Sequence, residues 1–405
     1  MLHVIDPSAV NPLLEREFPH LPGKAERISI ANAVGRVLAE AAVSDQYIPD
    51  FDRSLVDGYA VAARDTFGCS DAIPAMLPVT HEIHMGELPG FALEPGTCVA
   101  IPTGGAVPQG ADAVQMLEFA EDYGDGTIGI FKPVAPGNHM VYRGDDVSPG
   151  KCLLEAGHLL RPKDIGALAA LGITHVPVIP AVRIGILSTG DELIPAENCP
   201  GPGQIRDVNS HLLQAALASP GTRLNTYGII PDQYELLLEA VRKASRENDL
   251  VLLSGGSSAG ERDLSLQVLN ALGTTLFHGI AMKPGKPTIL GRIGRVPVFG
   301  LPGHPAAAFF VTELFVRPLV ARFSGRKTEP EQIHAKLTEN ISANHGRAQY
   351  TLVVLEKSEG LPAARPIHAK SGLITTLTEA DGYLCIPRDC EGYAAGTEVV
   401  VTRFP

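Results

Sequence analysis

The fold is decided by Val182-Arg183-Ile184-Gly185-Ile186-Leu187-Ser188-Thr189-Gly190-Asp191-Glu192. Its apolar first half predicts a buried strand, and this strand ends directly in hydroxyl groups, a glycine and two carboxylates. A second apolar run, residues 250–253, ends in the same way at Ser254-Gly255-Gly256. Strand-like and helix-like segments alternate from residue 181 to about residue 323. This alternation predicts a doubly wound α/β domain, whose parallel sheet binds ligands beyond the carboxyl ends of its strands.

The sequence on either side of this segment predicts further domains. We expect helix up to about residue 45, where an apolar period runs through residues 28–43, and β-rich structure from about residue 47 to 146. Short β-type runs return after residue 327. The predicted fold class is α/β multidomain: a central doubly wound α/β domain, an inserted β-rich domain and a small C-terminal β-domain. The predicted domains are 1–45 with 147–179 (discontinuous N-terminal or linker domain), 46–146 (inserted), 180–325 (α/β) and 326–405 (C-terminal).

The composition excludes several classes of protein. The 405 residues include 33 Lys and Arg against 45 Asp and Glu, a net charge of −12, and no basic run is present, so nucleic acid is not expected as a partner. The six cysteines form no CxxC pair, so neither a disulfide framework nor a zinc site is indicated. Free cysteines are typical of cytoplasmic proteins, and we expect this location. No signal peptide is recognisable at the N-terminus. The most apolar stretch, residues 165–187, is interrupted by Gly172, Pro177, Pro180 and Arg183, so no membrane span is expected.

Two loops after predicted strands could hold a phosphate or a metal ion. In the first, Asp191 or Glu192 could hold a cation or a ribose, or else Thr189 or Asp191 caps the next element. In the second, the glycines and serines of residues 254–260 could close around an anion with their main-chain N–H groups. Asp263 follows this cradle and would repel a phosphate. It is therefore either a helix cap or the ligand of a hard cation such as Mg²⁺ between carboxylate and phosphate.

Two further loops contain proline at close intervals. Lys283-Pro284-Gly285-Lys286-Pro287 places two cations on a stiff turn, which is either a solvated surface loop or a preorganised anion site. Gly300-Leu301-Pro302-Gly303-His304-Pro305 joins a buried strand to a helix, with Pro305 in the first helical turn, a position that proline favours.

Two apparent motifs do not carry a function. Gly124, Gly126 and Gly129 match GxGxxG, but no helix is predicted to follow them, so the segment is interpreted as a hairpin. The segment His81-Glu82-Ile83-His84 is one residue short of the zincin spacing and is interpreted as a surface strand.

Seven motifs follow one another along the chain: Val56-Asp57-Gly58-Tyr59-Ala60-Val61, Pro102-Thr103-Gly104, Gly144-Asp145-Asp146-Val147, Ser188-Thr189-Gly190-Asp191-Glu192-Leu193, Ser254-Gly255-Gly256, Lys283-Pro284-Gly285-Lys286-Pro287 and Gly300-Leu301-Pro302-Gly303-His304-Pro305. In this order they resemble the molybdopterin molybdenumtransferases of the MoeA family, which is related to the gephyrin E domain. The resemblance runs from about residue 5 to the C-terminus. Seven motifs in family order are far more specific than any one of them.

The resemblance implies a role in molybdenum cofactor synthesis. A protein of this family takes adenylylated molybdopterin and molybdate as substrates, inserts the metal at the dithiolene and releases AMP with the help of Mg²⁺. It also implies an elongated four-domain homodimer, whose α/β domain binds molybdopterin, and it makes the molybdopterin adenylyltransferase a possible partner. Two alternatives stay open: an ATP-dependent molybdopterin adenylyltransferase, and a non-catalytic molybdopterin-binding scaffold.

The resemblance also assigns site residues. The implied catalytic residues are Asp57, Thr103, Asp146, Glu192, Asp232 and Asp263, of which the first three would face the cleft across the dimer interface. Glu192 and Asp263 are the implied Mg²⁺ ligands. The residues expected to bind substrate are Ser188, Thr189, Gly190, Ser254, Gly255, Gly256, Gly260, Lys283, Lys286, Pro302 and Pro305.

The chain also departs from the family pattern. Residues 53–56 read Arg-Ser-Leu-Val where many members have Asn-Ser-Ala-Met, His304 replaces the commoner Asn, and Ser257 stands where Val is frequent. Gly279 occupies a position where some relatives carry Lys, which removes one anion contact. These departures leave open whether the metal is molybdenum or tungsten and which pterin cofactor is made.

Overall fold

The computed structural model describes residues 4–19, 23–255, 264–327, 329–343, 345–368 and 374–404. The chain divides into two compact units. The first comprises Met1–Ala39, Gly157–Arg161 and Pro177–Pro405, and the second comprises Glu40–Ala156 and Pro162–Val176.

The first unit begins with helix α1 (Pro7–Glu17) and strand β1 (Glu26–Ser29). Asp6 caps α1, since its carboxylate accepts hydrogen bonds from the main-chain N–H and the hydroxyl of Ser8. Arg388 also donates to this carboxylate, and these three hydrogen bonds keep the pKa of Asp6 below its ordinary value.

The predicted helix over residues 28–43 is wrong. A single 3₁₀ turn (Ile30–Asn32) ends in a turn at Gly35, whose φ of +79° no helix contains. Val37 and Leu38 then form β-bridges to Leu159 and Val178. Their helix-like spacing therefore came from non-local strand pairing and not from one face of a helix.

The second unit is built on a six-stranded sheet. The elements of this unit are β2 (Ala42–Val43), β3 (Arg53–Ser54), β4 (Gly58–Val61), β5 (Ala75–Glu82), β6 (Cys98–Ile101), β7 (Ala113–Met116), β8 (Ala120–Asp122), β9 (Thr127–Ile130), β10 (Met140–Val141), β11 (Cys152–Leu154) and α2 (Pro162–Ala170). The strand order of the sheet is β7-β4-β6-β5-β9-β8, with one apolar cluster on each face. The hairpin predicted around Gly124 and Gly126 is confirmed as the β8–β9 connection. His81 lies on β5, as predicted, and its ring stacks on Phe91.

The remaining elements follow in chain order. They are β12 (His175–Val178), β13 (Val182–Thr189), β14 (Leu193–Ile194), β15 (Ile205–Arg206), α3 (Asn209–Leu217), β16 (Thr222–Ile230), α4 (Tyr234–Glu247), β17 (Leu250–Ser254), α5 (Leu264–Leu272), β18 (Thr274–His278), β19 (Met282–Lys283), β20 (Ile289–Ile293), β21 (Val296–Leu301), α6 (Pro305–Val311), a π-turn (Thr312–Val316), α7 (Arg317–Phe323), β22 (Gln332–Leu337), β23 (Ile341–Ser342), β24 (Ala348–Glu356), β25 (Ala363–Pro366), α8 (Thr375–Glu379), β26 (Gly382–Ile386), β27 (Gly392–Tyr393) and β28 (Glu398–Arg403). Within the described ranges, every helix is too short or too polar to cross a membrane.

The predicted doubly wound domain is present, with one correction to its sheet. The strand order is β16-β13-β17-β21-β20-β18, and β20 is antiparallel to both of its neighbours. The sheet is therefore not purely parallel. Since two antiparallel steps restore the direction, β18 still ends at the same edge as β13, β17 and β21.

Side-chain alternation along these strands builds two apolar layers. Ile184, Leu252 and Phe299 face α1, α3, α6 and α7, whereas Leu253 and Val298 face α4 and α5. Each such buried side chain contributes about 1.5–3 kcal/mol relative to an exposed one. This layered core is what holds the carboxyl edge of the sheet in place.

The C-terminal strands close into a small barrel. The order β24-β25-β22-β28-β26 returns to β24, and β19 pairs with the first two residues of β24. Inward-facing residues, among them Val353, Ala364 and Val401, form its apolar core. The β structure predicted after residue 327 is confirmed.

Candidate functional site

The carboxyl edge of the α/β sheet carries a row of polar side chains. In the parallel register, Ser188 of β13 lies beside Ser254 of β17, which lies beside Leu301 of β21. The two serines are 0% and 2% exposed because they continue the inward-facing series of Ile186 and Leu252. Both serines were predicted to bind substrate, and the structure places them side by side at one edge.

Thr189 joins the loops that follow β13 and β16. Its Oγ1 donates a hydrogen bond of 2.6 Å to Asp232 Oδ1, and the main-chain N–H of Asp232 donates one of 3.1 Å to Asp191 Oδ1. A short strand, β14, and not a helix, follows β13, so the alternative in which Thr189 or Asp191 caps the next element is wrong. Both side chains instead fix the position of Asp232.

Glu192 folds back towards the end of β13. A Cβ atom added at Gly190, whose φ is +152°, would lie 2.8 Å from Glu192 Oε2. Glycine at this position therefore leaves room for the carboxylate. Since Asp232 is bonded to Thr189, the carboxylates of Glu192 and Asp232 belong to the same end of the strand.

These carboxylates fit a site for a hard cation whose other ligands are water and a substrate phosphate. Across the described ranges, no three His, Cys, Asp or Glu side chains converge closely enough to hold a metal by themselves. Mg²⁺ does not require such a cage, because it usually keeps several waters and binds one or two carboxylates together with substrate phosphates. Glu192 and Asp232, both exposed, meet that description. Asp263, the other predicted ligand, lies outside the described residues.

Gly255 begins the predicted anion cradle. Its φ is +98°, and a Cβ atom there would lie 2.1 Å from the carbonyl oxygen of Thr189. A real Cβ contact is not shorter than 3.0 Å, so the approach of these two strand ends requires glycine. Gly256, Ser257 and Gly260, also singled out in the sequence, lie outside the described residues.

Asn209, at the start of α3, was missed by the sequence analysis. Its Nδ2 donates to Ser254 Oγ at 2.8 Å and to the carbonyl of Gly303 at 2.9 Å. An Asn at the start of a helix suggests only a cap, which is why its contacts to two distant loops gave no signal in the sequence.

Beside this edge lies a cavity of about 730 Å³ within the first unit. Lys283, Lys286, Arg347, His304 and His368 line it, and its described lining residues include no Asp or Glu. In a chain of net charge −12, such a lining favours an anionic ligand. Arg347 was also missed, because it lies on the C-terminal barrel, 64 residues after Lys283 in the chain (347 minus 283).

Main-chain pairing fixes the lysine loop. Lys283 lies on β19, which pairs in parallel with β24 through Met282–Ala348 and Lys283–Gln349. The hydroxyl of Thr288 donates to the carbonyl of Gly285 at 2.7 Å and closes the turn. The main chain of this turn is therefore held in place, while the side chain of Lys283 is exposed and that of Lys286 is half-buried.

Two prolines shape the neighbouring loop. Pro302 is buried and lines the cavity. Pro305 is the first residue of α6, as predicted. His304 also lines the cavity, so the departure from the family pattern at this position changes its wall.

Gly279, another departure from the family pattern, has φ +111°, and a Cβ atom there would lie 3.1 Å from Val4 Cγ2.

Burial also affects a neutral member of the cavity wall. Tyr350 of β24 lines the cavity, and desolvation, assisted by Cys385, raises the pKa of its phenol. The phenol, which is protonated at neutral pH in any case, interacts with Cys385.

Two of the predicted catalytic residues meet in the second unit. Asp57 Oδ1 accepts a hydrogen bond of 2.8 Å from the main-chain N–H of Thr103. A Cβ atom at Gly58 would lie 1.8 Å from the carbonyl oxygen of Gln115, so glycine lets β4 and β7 approach and fixes Asp57 beside them. The carboxylate of Asp57 is exposed and open to a ligand.

Asp146 belongs to another loop of the same unit. Its main-chain N–H donates to Ile48 at 3.1 Å, and its carbonyl accepts a bond from Lys151 Nζ. Its side chain is exposed, and among the described residues no hydrogen bond joins it to Asp57 or Thr103.

The fold and these loops define a class: multidomain proteins in which a doubly wound domain and a small β-barrel together line a cation-rich cavity. Comparison with known proteins makes the class specific. Family profiles match over residues 8–172 ("MoeA N-terminal region (domain I and II)"), 185–322 ("Probable molybdopterin binding domain") and 334–404 ("MoeA C-terminal region (domain IV)").

Relatives cover almost the whole chain. Molybdopterin molybdenumtransferase 2 of Mycobacterium tuberculosis is 34% identical over 92% of this chain and 94% of its own length. Molybdopterin molybdenumtransferase of Bacillus subtilis is 31% identical over 94% and 90%. The crystal structure of the molybdopterin biosynthesis MoeA protein from Pyrococcus horikosii superposes with a TM-score of 0.87, at 37% identity over 99% of both chains. The chain belongs to the MoeA family.

Proposed function

We propose that this chain is a molybdopterin molybdenumtransferase, which inserts molybdate into adenylylated molybdopterin and releases AMP. The observation that carries the proposal is the cavity lined by Lys283, Lys286 and Arg347 beside the carboxyl edge of the α/β sheet. Molybdate and a pyrophosphate-linked pterin are both anions. Such substrates need a local concentration of cations in a protein whose net charge is −12.

The cavity cations hold the oxyanion in this proposal. Lys283 and Lys286 are separated by a turn that Thr288 closes, so their charges approach the ligand from fixed positions. Arg347 adds a planar donor group from the barrel. Orientation of this kind lowers the barrier to reaction because the reactants do not have to be ordered in the transition state.

The strand ends hold the phosphates. Hydroxyl groups of Ser188, Thr189 and Ser254 lie at the edge where Gly190 and Gly255 allow main-chain N–H groups to approach. Gly256 and Gly260, which follow Gly255 in the sequence, are proposed to contribute to the same phosphate site. Pro302 and Pro305 keep the adjacent wall rigid.

Mg²⁺ would be held by Glu192, Asp232 and Asp263 together with the substrate phosphates. When bound, it supplies Lewis-acid polarisation of the phosphoanhydride and stabilises AMP as leaving group. The contribution of the chain is to keep Asp232 in place, through the hydrogen bonds that it makes with Thr189 and Asp191.

Asp57, Thr103 and Asp146 complete the proposed catalytic set, and the proposed active form is a cytoplasmic homodimer. The cytoplasmic location agrees with six cysteines that are all free thiols. Size-exclusion chromatography with light scattering tests the dimer. A pull-down with the molybdopterin adenylyltransferase tests that enzyme as a partner.

The decisive experiment measures AMP release from adenylylated molybdopterin with Mg²⁺ and either molybdate, tungstate or sulfate. We expect release with an oxometalate and none with sulfate, and the ratio of molybdate to tungstate rates decides the metal. Lys286→Ala should raise the oxometalate concentration needed for half-maximal release about tenfold, since one charge-assisted contact is worth about 1.5 kcal/mol or more. Lys336→Ala, an exposed lysine of β22, is the matched control. Transfer of AMP from ATP to molybdopterin, with release of pyrophosphate, would instead identify an adenylyltransferase. Pterin binding without any release would identify a scaffold.

A further inference from the structure

The polar row at the carboxyl edge is unusual in its burial. Ser188, Ser254 and Asn209 are 0%, 2% and 7% exposed, directly above an apolar layer that contains Ile186 and Leu252. Burying polar groups costs about 1–3 kcal/mol each unless hydrogen bonds compensate. Apolar side chains at these positions would extend the core, so their polarity calls for a functional explanation.

Asn209 uses both hydrogens of its amide to tie loops together. One hydrogen bond reaches Ser254, the last residue of β17, and the other reaches Gly303 in the proline-rich loop before α6. These partners follow it by 45 and 94 residues in the chain. A single side chain thus joins the start of α3 to the two loops that border the proposed phosphate and oxyanion sites.

Hydrogen bonds do not satisfy every buried polar atom of Ser188, Ser254 and Asn209. Ser188 Oγ and Asn209 Oδ1 are buried and have no hydrogen-bond partner in the part of the chain that the structure describes. A side chain that served only to cap a helix would not remain buried with one acceptor unused.

We propose that Asn209 is a positioning residue of the molybdenum-insertion site, which sets the Ser254 hydroxyl and the Gly303 loop in the register that the reaction needs. This inference rests on the proposed function. Asn209 acts through Ser254 and through the loop of Pro302 and His304, two residues that line the cavity. Its loss should therefore lower kcat more than it raises KM, because positioning contributes chiefly to the chemical step.

The test compares Asn209→Ala with Asn248→Ala. Asn248 is 3% exposed and also donates two hydrogen bonds, to Tyr227 and Ala244, but it precedes β17 at the opposite edge of the sheet. Asn209→Ala loses two hydrogen bonds, whereas Asn248→Ala loses three, because Asn248 Oδ1 also accepts one from Asn225 Nδ2. The control should therefore lose at least as much stability in urea unfolding as Asn209→Ala. Only Asn209→Ala should lower kcat for AMP release, by about 100-fold.

Three further measurements keep the inference falsifiable. Asn209→Asp preserves the size of the side chain but cannot donate these hydrogen bonds. Its kcat for AMP release should therefore be as low as that of Asn209→Ala. In a double-mutant cycle, Ser254→Ala should add little to the kcat loss of Asn209→Ala, since both variants remove the same hydrogen bond between Asn209 and Ser254. Hydrogen–deuterium exchange of residues 301–305 should accelerate in Asn209→Ala and not in Asn248→Ala.

The outcomes separate the two claims. If the parent protein releases no AMP, the proposed function fails, while the exchange experiment still tests whether Asn209 holds the Gly303 loop in place. Equal kcat losses in Asn209→Ala and Asn248→Ala, or unchanged exchange of residues 301–305, would overturn the inference.

Discussion

Replacement of Gly255 by alanine should damage both the stability and the activity of the protein. The added Cβ would lie 2.1 Å from the carbonyl oxygen of Thr189, so one strand end must move by about 0.9 Å to reach the 3.0 Å limit of real contacts. An overpacked contact of this kind costs about 1–3 kcal/mol. The φ of +98° adds about 1–2 kcal/mol of backbone strain for a residue other than glycine. We expect a total loss of about 3 kcal/mol in the free energy of unfolding.

The displaced residue matters for function as well. Thr189 holds Asp232 through a 2.6 Å hydrogen bond, so a shift of the strand end also moves a proposed ligand of Mg²⁺. A displacement of about 1 Å in a positioned group can cost about 100-fold in rate. We therefore expect a loss of about 100-fold in kcat/KM for AMP release, measured at a temperature where the variant is fully folded.

Gly126→Ala is the matched control. Its φ of +86° imposes comparable backbone strain, but no heavy atom lies within 4 Å of the added Cβ. It should lose only about 1 kcal/mol in urea unfolding and keep full activity. A Gly255→Ala variant that loses no more stability than Gly126→Ala and still releases AMP at the parent rate would refute the steric conflict with Thr189.

Three other predictions concern single side chains. Thr189→Val keeps the shape of the strand end but frees Asp232, so it should lose about 1.5–3 kcal/mol in urea unfolding and show weaker activation by Mg²⁺; unchanged Mg²⁺ titrations would contradict this role. Arg347→Ala should weaken oxyanion binding about tenfold in calorimetry with molybdate, while Lys336→Ala should bind like the parent. Burial raises the pKa of the Glu313 carboxyl, so the folded state binds more protons there, and its contribution to the free energy of unfolding falls as pH rises from 4.5 to the folded-state pKa. Glu313→Gln should remove this decline, so that the stability difference between variant and parent grows with pH and then levels off; parallel curves would contradict the assignment.

Local sequence patterns predicted the α/β domain because its strands are short apolar runs that end at glycine or hydroxyl residues. The same patterns failed at residues 28–43. There, Val37 and Leu38 have the spacing of a helix face but pair with Leu159 and Val178, residues that are distant in the chain. A single sequence does not reveal such partners, whereas Gly35 was the local sign of a turn.

The sequence predicted where the candidate site lies but not all of the residues that form it. Glycines, hydroxyls and carboxylates after strands marked one edge of the sheet, because parallel strands deliver their carboxyl ends to the same place. Asn209 and Arg347 were missed because they join the site through contacts between distant segments. The reversed direction of β20 was also missed, because apolar alternation does not encode strand direction.

The pairing of β19 with β24 has a consequence for truncation. Lys283 belongs to the α/β segment by sequence but to the C-terminal barrel by its hydrogen bonds. A chain ending at residue 326 would retain every predicted strand of the doubly wound sheet. It would nevertheless lose the pairing of Met282 and Lys283 with β24 and would lack the guanidinium of Arg347. The barrel therefore contributes to the structure of the lysine turn. A shortened protein should keep its central sheet but lose the order of this turn.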